Sequence, residues 1–290
     1  MMIGGLVWKR PFHQSSRTLI FEKFLKPVIE ASQKREHVVE RLIKPLGLPQ
    51  PPTPRSKYSK GNTFKDLFDE EKTQRRTKEL TLEMSKSGMF DMYTFKKTNG
   101  KLFISPRSYW REEKSLYFPH IVGKSVLKGH RQKVNIEDQM RGKLNIVRLF
   151  GNGIGEGLSS QFFDKDHDLK TWQNNNTTQL IEISWIENSI KSLIATLSIP
   201  KLRSNISEER QKNYYFADRE QLPFTVRDQL QINNILTGYT LIVDQNLKIR
   251  WMACGGVSAG GEEKDTMWKC VEALQREMND SKATIHNLKK

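Results

Sequence analysis

Hydrophobic and polar positions divide the chain into a weakly patterned first third and a regular remainder. From Leu144 the pattern sharpens. Leu144–Phe150 is a short apolar run bounded by Arg-Gly-Lys and a glycine-rich stretch, which predicts a buried strand. Gly151–Gly157 reads as a loop and Leu158–Phe163 as a helix. Thr178–Trp185 reads as a second strand. Ile190, Leu193, Ile194 and Leu197 share one face of a helix predicted over 188–197. Asn213–Phe216 reads as a short extended element and Val226–Gln231 as a turn or two of helix. Tyr239–Val243 and Lys248–Met252 read as an antiparallel pair around the turn Asp244-Gln245-Asn246. After a flexible Gly255–Gly261, Glu262–Asn279 carries Met267, Trp268, Val271, Leu274 and Met278 on one side of a closing amphipathic helix.

Strand, helix, strand, helix, an irregular stretch, an antiparallel pair and a helix imply a parallel strand pair with a right-handed crossover, edged by the hairpin. The predicted fold class is therefore α/β: a thioredoxin-like (peroxiredoxin-type) three-layer sandwich with a mixed sheet. Residues 119–134 form its preface. Thioredoxin-type enzymes carry their thiolate after the first core strand, at a helix N-terminus. Here that corner reads Gly151-Asn-Gly-Ile-Gly-Glu-Gly157, so the redox cysteines are absent. Thr237-Gly238-Tyr239 stands where thioredoxins place a cis-proline. The two cysteines, Cys254 and Cys270, form no Cys-x-x-Cys and read as ordinary buried thiols.

Ahead of this domain the pattern is irregular. Residues 1–21 hold Lys9, Arg10 and Arg17 with no acid before Glu22, interleaved with apolar residues and Ser15-Ser16, as in a mitochondrial transit peptide. Pro49-Gln-Pro-Pro-Thr-Pro54 predicts an extended spacer and 64–87 a highly charged helix with Phe64, Leu67, Phe68, Leu80, Leu82 and Met84 on its apolar side. Asn99-Gly100, between Tyr93-Thr-Phe-Lys and Leu102-Phe-Ile, predicts a hairpin with a type I′ turn closed by Pro106. The expected organisation is transit peptide and disordered leader over 1–45; linker, charged helix and hairpin over 46–105; the thioredoxin-like domain over 106–282; and a tail over 283–290.

Composition narrows the function. Of the net charge of +15, +8 falls within residues 1–60, which hold twelve Lys and Arg against four Asp and Glu. The remainder is only mildly basic, which disfavours a nucleic-acid stripe and suits work beside an anionic membrane. No apolar run reaches the roughly 18 residues of a membrane span. The glycine-rich corner fails the dinucleotide fingerprint, since Glu156 or Leu158 falls where its last glycine belongs. Gly123-Lys-Ser lacks the upstream glycine of a phosphate loop. Asp164, Asp166 and Asp168 lack the Gly and the terminal acid of a calcium loop and read as a solvated turn. The six histidines are scattered. No catalytic residue, cofactor, metal or small-molecule substrate is expected. Trp185, Tyr239, Arg250 and Trp251 fall at strand ends; core packing is the default for such residues, and if exposed they are the types that anchor partner interfaces.

Three stretches carry a resemblance: Tyr109-Trp-Arg-Glu-Glu-Lys-Ser-Leu-Tyr-Phe-Pro119; Glu182-Ile-Ser-Trp-Ile-Glu-Asn-Ser-Ile-Lys191; and Asn233–Gly256, with its Asn-Ile-Leu-Thr-Gly-Tyr-Thr-Leu-Ile-Val-Asp and Lys-Ile-Arg-Trp, followed by Glu262-Glu263. Over about residues 105–280 the chain resembles the mitochondrial ATP synthase assembly factor ten family, matrix-side chaperones of subunit a (subunit 6). The resemblance implies peripheral association with the matrix side of the inner membrane. It also implies transient binding of newly made subunit a, help in joining it to the rotor ring, and no catalytic residues. The competing readings are an atypical thiol oxidoreductase using Cys254 and, from charge alone, an RNA-binding protein.

Overall fold

The structure is a computed structural model and describes residues 37–56, 58, 68–85, 89–129, 132–163, 177–187 and 198–288. The helix expected over 188–197, the acidic turn at Asp164–Asp168, and residues 1–36 of the leader lie outside these residues.

Among the described residues ten strands are seen: β1 (Glu40–Arg41), β2 (Phe103–Ile104), β3 (Leu116–Tyr117), β4 (Val122–Ser125), β5 (Lys133–Asn135), β6 (Leu144–Phe150), β7 (Thr178–Ile186), β8 (Tyr214–Asp218), β9 (Gly238–Val243) and β10 (Lys248–Cys254). The labelled helices are α1 (Glu70–Ser85), α2 (Met89–Thr98), α3 (Ile136–Met140), α4 (Gly153–Ser160), α5 (Glu208–Lys212), α6 (Phe224–Gln229) and α7 (Glu262–Leu288). Residues 198–205 are also helical.

Eight strands form one sheet in the order β3-β10-β9-β6-β7-β8-β4-β5. Within it β6, β7 and β8 run parallel, while β9 is antiparallel to β6 and β10 to β9. The order β10-β9-β6-β7, with a helix directly after β6 and another after β10, is the thioredoxin-like arrangement. β6 lies at its centre and is buried along its whole length.

Alternation along the strands creates two cores. Val147, Leu149, Ile181, Ile183, Tyr239 and Leu241 face one side, which Met140 of α3, Val226 of α6, and Leu46, Leu48 and Phe103 of the N-terminal segment cover. Leu144, Ile146, Leu180 and Ile242 face the other, against Phe162 and against Met267, Val271 and Leu274 of α7. Helices on both faces of a mixed sheet make the three layers. Burying a large aliphatic side chain in such layers contributes about 1.5–3 kcal/mol.

β10 breaks its alternation once. Ile249 pairs with Val243 but Trp251 with Ile242, so Arg250 is the extra residue of a bulge. The bulge turns Ile249, Met252 and Cys254 to the first core and Trp251 and Ala253 to the second.

Three local expectations change. The hairpin at 93–104 is not formed: Met89–Thr98 is helix α2. Asn99 (φ 51°) and Gly100 (φ 79°) end that helix, and the Gly100 amide donates to Phe95 O at 3.0 Å. That is a Schellman-type cap. Asn-Gly is favoured in both settings for the same reason, its tolerance of positive φ, so the dipeptide does not distinguish a helix end from a hairpin. The loop expected over 151–157 is already helical from Gly153, because the Asn152 side chain caps it by accepting from the Gly155 amide at 2.9 Å. The closing helix runs on to Leu288.

Candidate functional site

The four residues singled out at strand ends do not line a groove. Trp185 and Tyr239 are buried in the first core. The Tyr239 hydroxyl donates to Asn234 O at 2.9 Å. Trp251 lies in the second core, where its indole donates to Pro106 O at 3.1 Å. Arg250, displaced by the bulge, is 2% exposed and is spent on Trp110 O, Asp244 and Glu277 while stacking on Tyr109. These side chains sit on opposite faces of the sheet and are buried. Their physical role is to hold the two layers.

The strand-to-helix corner is the place where this fold does its chemistry elsewhere. Here it is a close contact of backbones. A β-carbon on Gly155 would come 2.7 Å from Thr237 O, and one on Gly238 would overlap the Gly155 carbonyl. Only glycine permits this approach. The first turn of α4 thus packs directly on Thr237-Gly238, with no side chain between them to react. Ile154, in the same turn, is 59% exposed.

Neither cysteine compensates. Cys254 is fully buried in β10, paired with Tyr239 and one residue before Gly255, whose amide donates to Gly238 O. Its Sγ accepts from the amides of Leu102 and Phe103 at 3.1 and 3.2 Å. Two amides favour a thiolate, but burial outweighs them and pushes the thiol up to about 12. Burial likewise raises Cys270 to about 11. At neutral pH both are overwhelmingly protonated and poor nucleophiles. Among the described residues no group of three His, Cys, Asp or Glu could hold a metal ion.

Beneath α4 lies a buried ion network. Arg148 of β6 donates to Glu182 of β7 at 2.6 Å, to Glu156 O at 2.7 Å and to Ser159 Oγ. Arg210 makes a two-pronged contact with the same Glu182, at 2.8 and 2.9 Å. Glu182 is 1% exposed, and its two arginines satisfy both oxygens. Burial raises Glu156 against the nearby Arg148. This network fixes α4 to the sheet.

Over the corner sits α2. Thr237 Oγ1 donates to Gly100 O at 2.7 Å, and Asn234 Nδ2 donates to Asp91 O at 2.9 Å. A β-carbon on Gly100 would meet Phe95 and Leu158 at about the distance of van der Waals overlap, 2.8 and 3.0 Å. The chain then continues as Lys101, whose ammonium pairs with Glu263 at the start of α7. Among the described residues Thr94 Oγ1 of α2, and Arg227 Nε and Asn233 Oδ1 of the segment beneath it, are buried with no hydrogen-bond partner. Burial raises the Asp91 carboxyl to about 7 despite Arg219 and Arg227, and lowers Arg227 to about 10. Met92 and Tyr93 face outward at 40% and 39% exposure.

Sequence reasoning missed this element because it read the Asn-Gly as a turn between strands. The available signal was charge: Asp91 in the first turn and Lys96-Lys97 in the last, as the helix dipole favours.

Comparison with known proteins places this geometry. The profile of a family described as ATP10 protein matches residues 26–274. The chain is similar to proteins named mitochondrial ATPase complex subunit ATP10 from three yeasts. Identity to the Candida glabrata protein is 45% over 266 residues, covering 92% of this chain and 96% of that one. For Eremothecium gossypii it is 45% over 273 residues, covering 94% and 98%. For Saccharomyces cerevisiae it is 42% over 281 residues, covering 92% and 99%. Among solved structures, a DsbF homologue from Corynebacterium diphtheriae aligns with a TM-score of 0.38 and 14% identity over 59% of this chain and 92% of that chain. A thiol:disulfide interchange protein DsbE from Chlorobium tepidum aligns at 0.36 and 10%, over 55% and 96%. At that distance the fold is read from the strand order above.

Proposed function

The chain belongs to the ATP10 protein family, and from that premise we propose that it is a mitochondrial assembly factor of ATP synthase that works by binding and not by catalysis. Its client is newly made subunit a (subunit 6), an apolar chain that is exposed until it joins the rotor ring. The protein holds that client on the matrix side of the inner membrane, peripherally attached, until the ring replaces it. The names of the yeast relatives support the complex it serves. No helix among the described residues is long and apolar enough to cross a membrane, which fits peripheral attachment.

The observation that carries the binding reading is the corner itself, where Gly155 and Thr237-Gly238 touch in place of a thiol. An oxidoreductase acting through Cys254 finds no support there. That thiol is fully buried and held far above neutral pH. With no thiolate at the helix N-terminus the domain retains only surfaces with which to act.

The test is co-purification during pulse-labelled mitochondrial translation. Newly made subunit a is expected to be recovered with the tagged protein and lost from it as the ring joins. Recovery of the ring or the catalytic head instead of subunit a would redirect the client assignment. Normal ATP synthase assembly in cells without the protein would remove the assembly reading.

A further inference from the structure

Resting on the reading that the protein is attached peripherally to the matrix side of the inner membrane, we propose the surface that attaches it: the β4–β5 hairpin at one end of the sheet, whose lysines lie on the headgroups of an anionic bilayer.

The sequence concentrates charge there. Between Glu113 and Glu137 it has no Asp or Glu, while Lys114, Lys124, Lys128, Arg131 and Lys133 fall in the same stretch. The fold gathers three of these on the hairpin. Lys124 of β4 stands directly across from Lys133 of β5, and Lys128 is exposed in the connection between the two strands. Like charges directly opposite one another on a sheet are destabilising. On its other side Lys124 faces Phe216 of β8, so neither cross-strand neighbour is a carboxylate. Among the described residues none of the three lysines makes an ion pair or a side-chain hydrogen bond. Nearby acids are engaged elsewhere: Asp138 accepts from Asn135, and Asp218 from the Glu220 amide. Arg203 donates to Val126 O and Leu127 O of the hairpin, which adds a cation to the group and no anion.

Edge protection does not account for this arrangement. A lysine on an edge strand blocks pairing with another sheet, and Lys133 of β5, the last strand in the order, does that alone. Lys124 lies one strand further in, between β5 and β8, where no edge needs guarding. An external anion relieves the repulsion of such a pair.

The kind of cation and its surroundings identify the anion. Lysine is a compact charge on a flexible stem, whereas a single fixed phosphate or carboxylate is gripped best by the planar fork of arginine. Lysines side by side on a strand pair therefore suit a diffuse layer of charge. Single-stranded nucleic acid calls for exposed aromatic platforms. The aromatic beside Lys124, Phe216, is half-buried in a core, and the described part of the hairpin exposes no large hydrophobic residue. A bilayer surface with anionic lipid needs no such platform, and each lysine brought close to it strengthens binding about fivefold.

The experiment uses the chain with a C-terminal tag, purified from mitochondria so that it carries whatever N-terminus the cell leaves on it. Vesicles of equal parts phosphatidylcholine and phosphatidylglycerol are the probe, and pure phosphatidylcholine vesicles are the neutral arm. The unaltered chain is expected to sediment with the anionic vesicles, to leave them at high salt and to ignore the neutral ones. Lys124→Gln, Lys128→Gln and Lys133→Gln together should weaken binding about a hundredfold, and the charge-matched set Lys44→Gln, Lys78→Gln and Lys114→Gln by less than about fivefold. Urea denaturation should find the first set no less stable than the unaltered chain, because it removes a repulsive pair. Equal weakening by the two sets overturns the assignment, since net charge alone then accounts for binding. A loss of stability in the first set does so too, since the lysines then serve the fold. Tighter binding to a labelled single-stranded RNA than to the vesicles, lost in the first set, would give the surface to nucleic acid and overturn the bilayer. Unweakened vesicle binding by the first set keeps peripheral attachment and removes this surface, whereas an unaltered chain that binds no vesicle removes both. The assembly reading is scored separately, in cells.

Discussion

Two buried polar regions lie on either side of the α4 corner, and they are built to opposite standards. Around Glu182 both carboxylate oxygens are taken by arginines, Arg148 also binds Glu156 O and Ser159, and its guanidinium lies over the rings of Phe150 and Phe163. Around Asp91 burial raises the carboxyl to about 7, and three nearby buried atoms have no partner among the described residues. A fully satisfied buried network rigidifies what it joins. The comparison teaches that the frame β6–β7–α4 is held by a fully satisfied network, whereas fewer of the buried polar groups around α2 are paired among the described residues.

The comparison breaks most visibly at the frame. Glu182→Ala leaves Arg148 buried with its charge uncompensated, and breaking such a pair costs about 3–5 kcal/mol. Urea denaturation should show a loss of that order, and a loss below about 1 kcal/mol would mean that the network does not hold the frame.

The α2 side is read through pH. The Asp91 carboxyl lies at about 7 in the seat against an ordinary 3.8, so docked α2 holds its proton more tightly than released α2. Docking is therefore strongest below about pH 4, weakens as pH rises to about 7 and is flat above that, by about 4 kcal/mol at most. Asp91→Asn should abolish this slope and hold α2 in place at pH 8. Exchange of the 89–98 amides across pH 5–8 checks the sign, and a slope in the opposite direction contradicts the burial argument.

The smallest expected effect is at the corner contact. Gly238→Ala places a methyl against the Gly155 carbonyl and should cost about 1–3 kcal/mol, as overpacking does. It should also loosen α2, because Thr237 would no longer meet Gly100 squarely. Unchanged stability would mean that the two backbones can separate freely.

These contrasts also mark what the sequence made legible. The two cores follow from alternation in β6, β7 and β9, where a one-residue slip would expose every apolar side chain. The missing sulfur at Gly151–Gly157 was visible without coordinates. Arg250 and Trp251 were not, because a bulge changes the facing of every later residue in its strand and leaves no hydrophobic signature. Trp185 and Tyr239 are residue types that serve cores and interfaces alike, so only burial separates the uses. The seat of α2 depends on contacts between residues more than a hundred positions apart, such as Asp91 with Asn234, and no local pattern carries that.

The central claim is that this scaffold acts through surface and not through sulfur. Replacing both Cys254 and Cys270 by serine, in cells that depend on the protein for ATP synthase, tests it most directly. The account predicts that the thiol-free protein, present at normal level, restores assembly of the complex. A thiol-free protein that folds, accumulates and still fails to restore it would contradict the account.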